Sequence, residues 1–325
     1  MFDLISVGDN TIDVFLEIDR DEVRIKDENK DKVLDLIMDF GAKIPVKKVT
    51  RIAAVGNAAN NAIGSARLGL KTAIYTVVGD DRDSQDTVEV FKKEGVALDH
   101  VVTQKGSKSN FSVVVNVGTE RTILVYHEKR NYNLPELGEA RWVYYTSVGK
   151  GHEILHEQIS AYSRKSGAKL AFQPGSYQLR EGREGLKNIL ESTEVLLLNK
   201  EEAAEILGRK AEIAEMARGL TNLGPKIAVV TDGRKGSWTY DGAVMRMMGI
   251  IPEKEEVERT GAGDAYSTAF VAALILGEGV SEAMRWGSAN ASSVVEHIGA
   301  REGLLTREGI EERLRSCPEC KVEER

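Results

Sequence analysis

Residues 258–277, ERTGAGDAYSTAFVAALILG, restrict what this chain can become more than any other stretch. From Ala265 to Leu276 no side chain is charged, so a helix here is buried on most sides and the fold must be built around it. In front of it stand Gly261, Ala262 and Gly263, small enough to let a ligand reach the backbone. A helix starting at this turn aims its unbonded amides and the positive end of its dipole at one point, which makes an anion site. Asp264 falls in the first helical turn, where a carboxylate can take the proton of a hydroxyl that attacks phosphorus. A capped helix start explains the same four residues, and on GAGD alone the two readings weigh equally. The uncharged helix behind them favours a platform for chemistry.

Composition narrows the partner. With 325 residues, 42% hydrophobic and 29% charged, the chain can bury the core of one large α/β domain or of two ordinary ones. A net charge of −7, from 44 basic and 51 acidic residues without a basic run, argues against nucleic acid and for a small molecule. The start MFDLISVGDN is charged too early for a secretory signal, and no apolar run is long enough to span a bilayer. A cytoplasmic protein without membrane contact is expected. Cys317 and Cys320 predict no disulfide staple: a mobile tail with incidental thiols, or half of a zinc site shared between chains, accounts for them. None of the five His is read as standing in a metal-ligand spacing.

The apolar run 2–7 before Gly8 predicts a buried strand whose end delivers Asp9, Asn10 and Asp13 to a cleft, where polar groups suit sugar hydroxyls. The plainer reading is a turn at Asp9 and Asn10, with Asp13 as a cap. Segments 14–18 and 44–52 alternate as half-exposed strands, whereas 30–40 has helical spacing with Val33, Leu34, Ile37 and Phe40 on one face. Gly56, Asn57, Asn60 and Asn61 lead a helix within 55–70 and offer donors and acceptors to a polyol. A strand at 72–78 and a helix at 88–93 set an α/β rhythm.

Between 99 and 126 the pattern changes to short alternating strands, the mark of an antiparallel sheet. Paired with the excursion before it, this sheet is expected to form a lid over the cleft. The rhythm then returns, with strands at 142–145, 169–172, 194–198 and 227–230 and helices at 152–165, 186–190 and after Asn199. A hairpin turning at Asp241 and Gly242 and two last helices, around 282–297 and 307–315, follow. Asn199 with Glu201 and Glu202 can hold Mg²⁺ through water, although Glu in a first helical turn has a plain dipole explanation. Small residues near Thr231, Asp232, Gly233 and Gly236 let a nucleotide lie against the backbone.

With these features together, the chain resembles the ribokinase-type (phosphofructokinase-B) carbohydrate kinases over nearly its whole length. The family's two signatures fall on 56–81 (GNAANNAIGSARLGLKTAIYTVVGDD) and 258–270. The resemblance implies Asp264 as catalytic base and the amides of Gly261, Ala262 and Gly263 as the anion hole. It implies Asp9, Asp13, Gly56 and Asn60 as sugar contacts, Asn199 and Glu202 near Mg²⁺ and phosphate, Thr231, Gly233 and Gly236 as the nucleotide loop, and Asn290 near the adenine. Three departures stand out. Glu258 and Arg259 replace the family's Asp-Thr, which removes that Asp from a monovalent-cation site. Val55, Gly56 and Asn57 replace the paired glycines and Lys of ribokinases, and the 19–43 segment is longer than the usual link.

The expectation is a three-layer α/β/α domain over 1–325 with a mostly parallel sheet, carrying a small antiparallel β lid from about 13–52 and 98–130. It uses ATP and Mg²⁺ to phosphorylate a hydroxyl of a sugar or related small polyol. A nucleoside kinase is the alternative within the same chemistry, and a non-catalytic sugar or nucleotide sensor the alternative outside it. A phosphate-bearing sugar would need Arg121 or Arg130 from the lid. Alternating apolar residues on 14–18 and 113–117 leave one lid face to be covered, which predicts a homodimer through the lids.

Overall fold

The computed structural model describes residues 1–26, 35–118 and 120–325. Its strands, numbered along the chain, begin with β1 (Phe2–Val7), β2 (Thr11–Glu17), β3 (Arg24–Lys26), β4 (Asp35–Ile37), β5 (Lys48–Val55), β6 (Thr72–Val78), β7 (Val101–Thr103) and β8 (Phe111–Val117). They continue with β9 (Glu120–Tyr126), β10 (Ala140–Tyr145), β11 (Lys169–Phe172), β12 (Val195–Asn199), β13 (Ile227–Thr231), β14 (Ser237–Tyr240), β15 (Met245–Met248) and β16 (Glu323–Glu324). A 10-stranded sheet runs β16-β15-β14-β13-β12-β11-β10-β1-β6-β7, parallel from β7 to β13 and antiparallel beyond it.

Alternate side chains on the parallel strands enter two different cores, as a sheet covered on both faces requires. Ile5, Val7, Val143, Tyr145, Leu196, Leu198 and Val230 point one way, against Leu155, Ile159 and Leu220 of helices. Leu4, Trp142, Tyr144, Val195, Leu197 and Val229 point the other, against Phe270, Met284, Trp286 and Ile310. The expected central helix, Ala262–Ile275, buries nearly every side chain after Asp264. Because the parallel strands share one direction, Gly8, Gln173, Asn199 and Thr231 all emerge along one edge of the sheet.

A 4-stranded sheet, β5-β2-β8-β9, lies over that edge. Its inner face packs Phe15, Ile52, Val55 and Val114 against Ile298 of the main domain. Three expectations change here. Val101–Thr103 is not a lid strand but the parallel edge of the large sheet, because it continues from the helix before it back beside β6. The lid is mixed: β2–β5 and β8–β9 are antiparallel, but β2 and β8 arrive from separate excursions and pair in parallel. Residues 35–37, expected within a helix, form a strand paired with β3, while 30–34 lie outside the described residues.

That hairpin also answers what covers the lid. Val23, Ile25, Leu36 and Ile44, from the long 19–43 segment and its margin, pack on Ile18, Val115 and Val117. The outer face expected to need a second subunit is therefore largely covered by the chain's own insertion. What stays exposed is β9, the unpaired edge, with Ile123, Leu124, Val125 and Tyr126 at 39–59% exposure.

The C-terminus departs from expectation as well. Cys317 and Cys320 are joined in a disulfide, Cys317 is buried, and the residues after it return to add β16 to β15. The tail is docked. No helix among the described residues is long and apolar enough to cross a membrane.

Candidate active site

Gly261 begins the glycine turn in a left-handed conformation, φ +80°. A side-chain carbon there would sit 2.1 Å from Ala300 Cβ and 2.6 Å from Ala300 Cα, so the turn and the 299–300 loop close on each other only with glycine. A carbon at Gly263 would meet open space. Ala262 N donates to Arg259 O at 3.3 Å, whereas no backbone acceptor among the described residues takes the amide of Gly261 or Gly263. The turn thus presents unbonded donors at an exposed, side-chain-free surface.

Asp264 is fixed from two sides. Asn60 Nδ2 donates to its Oδ2 at 2.9 Å, and Gln173 Nε2 to its Oδ1 at 3.2 Å. Tyr144 OH donates to Gln173 Oε1, which turns the amide of Gln173 toward the acid. Burial pushes the Asp264 carboxyl up, against the pull of those two amides, in the direction that suits a base. Gln173 and Tyr144 were not picked out by sequence; the available signal was a glutamine at the C-terminal end of a parallel strand.

The first loop brings a second acid to the same edge. Asp9 is buried, and its Oδ2 accepts from Tyr132 OH at 2.7 Å and Gly149 N at 2.9 Å. Its Oδ1 has no partner, and neither does the buried Oδ1 of Asn60. A carbon at Gly56 would lie 3.2 Å from Asp9 O, so the glycine lets the helix Asn57–Arg67 start against this loop. Asn57 opens that helix half-buried, with its amide in no hydrogen bond among the described residues. Asn10 and Asn61 are instead spent on the fold, through Thr76 and Thr268. Asp13, on β2 of the lid, is raised to about 6 by burial, opposed by a bond from Ser112 and helped by the charges of Glu258 and Asp264.

On the other side of the turn lies a cavity of about 310 Å³ walled by Thr231, Gly233, Gly236, Ala262, Gly263 and Tyr266. Tyr266 OH donates to Ser237 Oγ at 2.8 Å, which holds the ring in place. Thr231, Gly233 and Gly236, read from the sequence as a nucleotide loop, thus line one cavity with Ala262 and Gly263. Asn290 does not join them. It is fully buried, donates to Ala265 O at 2.9 Å and accepts from Leu305 N at 2.9 Å, so its amide ties the central helix to the segment at Leu305, while Ser288 and Ala291 of its own helix face the cavity.

Asn199 and Glu202 form a capping box: Asn199 Oδ1 accepts from Glu202 N at 2.8 Å, and Glu202 Oε2 from Asn199 N at 2.9 Å. The plain reading of this pair is realised. Yet burial raises the Glu202 carboxyl, with the Asp264 charge adding to it, and Oε1 stays outside the box. Glu258 is committed within the chain: it accepts from Thr260 and from Gly299 N at 3.2 Å, and Arg121 of β9 pairs with it at 3.2 Å. Arg130 is buried and donates to Ser107 Oγ and Lys108 O. Both lid arginines thus hold partners within the chain.

Residues 31–307 match the profile of the pfkB family carbohydrate kinases. A protein described as an uncharacterized sugar kinase, from Archaeoglobus fulgidus, is 28% identical over 251 residues, covering 74% of this chain and 98% of that one. A nucleoside kinase of Methanothermobacter thermautotrophicus is 25% identical over 256 residues, covering 77% and 80%. Among solved structures, Arabidopsis thaliana ribokinase complexed with ribose and ATP shares the fold at a TM-score of 0.80 and 23% identity, over 97% of this chain and 99% of that one. The chain belongs to the pfkB family of carbohydrate kinases, sugar and nucleoside phosphotransferases with an alcohol group as acceptor.

Proposed function

We propose that this kinase transfers the γ-phosphoryl of ATP to a hydroxyl of a sugar or related small polyol, with Asp264 as general base. The observation that carries the reading is the base itself: an acid held by two amides, beside an anion turn, with Asp9 Oδ1 and Asn60 Oδ1 buried and unpartnered nearby in the fold. Buried acceptors of this kind call for donors, and sugar hydroxyls supply them. Asp9, Asp13, Gly56, Asn57 and Asn60 would line the acceptor side. Thr231, Gly233 and Gly236 would hold the donor nucleotide in the 310 Å³ cavity.

In the transfer, the acceptor hydroxyl gives its proton to Asp264 while its oxygen attacks the γ-phosphorus in line. The bond to the bridging oxygen breaks, ADP takes the electron pair, and the amides of Gly261 and Gly263 meet the charge on the transferred group. The acids present fit a Mg²⁺, since Glu202 is half-buried, feels the charge of Asp264 and keeps Oε1 free of the capping box. When bound there through water, the ion would neutralise phosphate charge.

A screen of sugars and nucleosides with ATP, read as ADP release, tests the proposal. Turnover confined to nucleosides would move it to the alternative acceptor. Nucleotide binding without turnover on any acceptor would replace the kinase with a sensor. Association through β9 is proposed as well: its apolar edge is unpaired and exposed, and a second copy is the occupant that supplies a matching strand.

A further inference from the structure

His152, His156 and Glu181 stand together behind the loop that holds Asp9, with one ligand atom of each within 4.8 Å of the others. His152 precedes the helix Glu153–Ser166 and His156 follows one turn on, so both imidazoles share a face. The sequence HEILH thus places two imidazoles together, and an acid that is distant in the chain joins them.

The hydrogen bonds decide what the cluster needs. Gly149 O contacts His152 Nδ1 at 2.7 Å, and a carbonyl oxygen only accepts, so Nδ1 carries a proton. His152 Nε2 then faces Glu181 Oε1, an acceptor, at close range. His156 Nδ1 stands 3.8 Å from the other oxygen of the same carboxylate. Both imidazoles thus turn a nitrogen toward one carboxylate, and a cation placed among the three would be shared by all of them. The His156 side chain is 6% exposed, and its packing against Tyr145 and Phe172 holds Nδ1 toward the acid.

We propose that these three residues bind a zinc ion. Two imidazoles and a carboxylate are an ordinary zinc ligand set, with ligand atoms about 2.0–2.2 Å from the metal and therefore roughly 3.4 Å from one another. The present spacing reaches that with small side-chain adjustments. The His152–Gly149 bond is the outer contact that fixes a ligating imidazole. Glu181, 22% exposed, marks the side from which the ion and a fourth, water ligand enter. Gly149 also donates to Asp9 Oδ2, so the metal would stiffen the loop that positions Asp9.

The test is a zinc titration of chelated, full-length protein in excess Mg²⁺, with metal retained after desalting counted by mass spectrometry. One zinc per chain is expected. His156→Ala should weaken retention at least about tenfold, as loss of a contact at a zinc site does. Cys317→Ser/Cys320→Ser should retain it in full. Wild-type protein that retains no zinc overturns the proposal without any variant having to fold; so does full retention by His152→Ala/His156→Ala. A kinetic arm rests on the acceptor-side reading of Asp9: loading should lower KM for the acceptor and leave kcat nearly unchanged. Stoichiometric zinc with an unmoved KM keeps the site and overturns its coupling to Asp9.

Discussion

Gly261 and Gly263 stand two residues apart in one turn, and the structure assigns them opposite vulnerabilities. At Gly261 an added methyl meets φ +80° and two atoms of Ala300, at 2.1 and 2.6 Å. The left-handed backbone costs a non-glycine residue roughly 1–2 kcal/mol. Forcing an extra carbon into packed surroundings adds about 1–3 kcal/mol. Gly261→Ala should therefore lose about 2–5 kcal/mol, and at about 2 °C per kcal/mol for a chain of this size its melting temperature should fall by roughly 4–10 °C. Gly263, with open space at its Cβ, sits at a helix start where alanine is preferred to glycine by up to about 1 kcal/mol. Gly263→Ala should melt at or slightly above wild type. Gly263→Val should keep most stability but lose on the order of 10²-fold in kcat, the worth of an ångström's misplacement of the transferred group. Ala300→Gly in the Gly261→Ala background should recover the part of the packing cost due to the Ala300 Cβ and leave the contact with its Cα and the backbone part. Thermal melts with steady-state kinetics decide it. Unchanged melting of Gly261→Ala, or a Gly263→Val protein whose stability falls in step with activity, refutes this division of the turn.

Asp264→Asn should keep nucleotide binding and lower kcat by roughly 10²–10⁴, the worth of a positioned base; nearly unchanged kcat would remove Asp264 from the mechanism. Asp13, raised from 3.8 to about 6, takes up a proton more readily folded than unfolded. Its contribution to stability is complete below about pH 3.8 and is lost as pH rises through about 6, with an upper bound of about 3 kcal/mol. Asp13→Asn should therefore gain on wild type between pH 4 and 7 in urea melts, and a pH-independent difference would count against the burial argument. Leu124→Asp on the exposed edge should split a β9-mediated dimer in light scattering at micromolar concentration; wild type that is already monomeric ends that reading.

What the sequence disclosed was what local pattern controls. The uncharged helix after Asp264 and the asparagine-rich helix start each carry their burial in a short window, and the structure matches them. Distant pairings were hidden. Gln173 became a support for Asp264 only once β11 lay beside β10, and the acid that meets His152 and His156 lies some turns away in another element. Residues 35–37 look helical in spacing because Ile37 and Phe40 are apolar, but a strand partner at β3 decided otherwise. Asn290 shows the converse: its neighbours Ser288 and Ala291 line the cavity, while the side chain's own bonds to Ala265 and Leu305 turn it inward.

An ion pair between Arg121 and Glu258 bridges the lid and the segment before the glycine turn. Arg121 rides on the lid's edge strand, whereas Glu258, its side chain 6% exposed, stands just before the anion turn. Outward motion of the lid parts them, and the carboxylate loses that cation while its bonds from Thr260 and Gly299 remain. The electrostatic cost falls on the opened state, so a bound ligand is retained by charge as well as by shape. Dissolved salt screens the parted charges more than the paired ones, and residence time should therefore shorten as ionic strength rises.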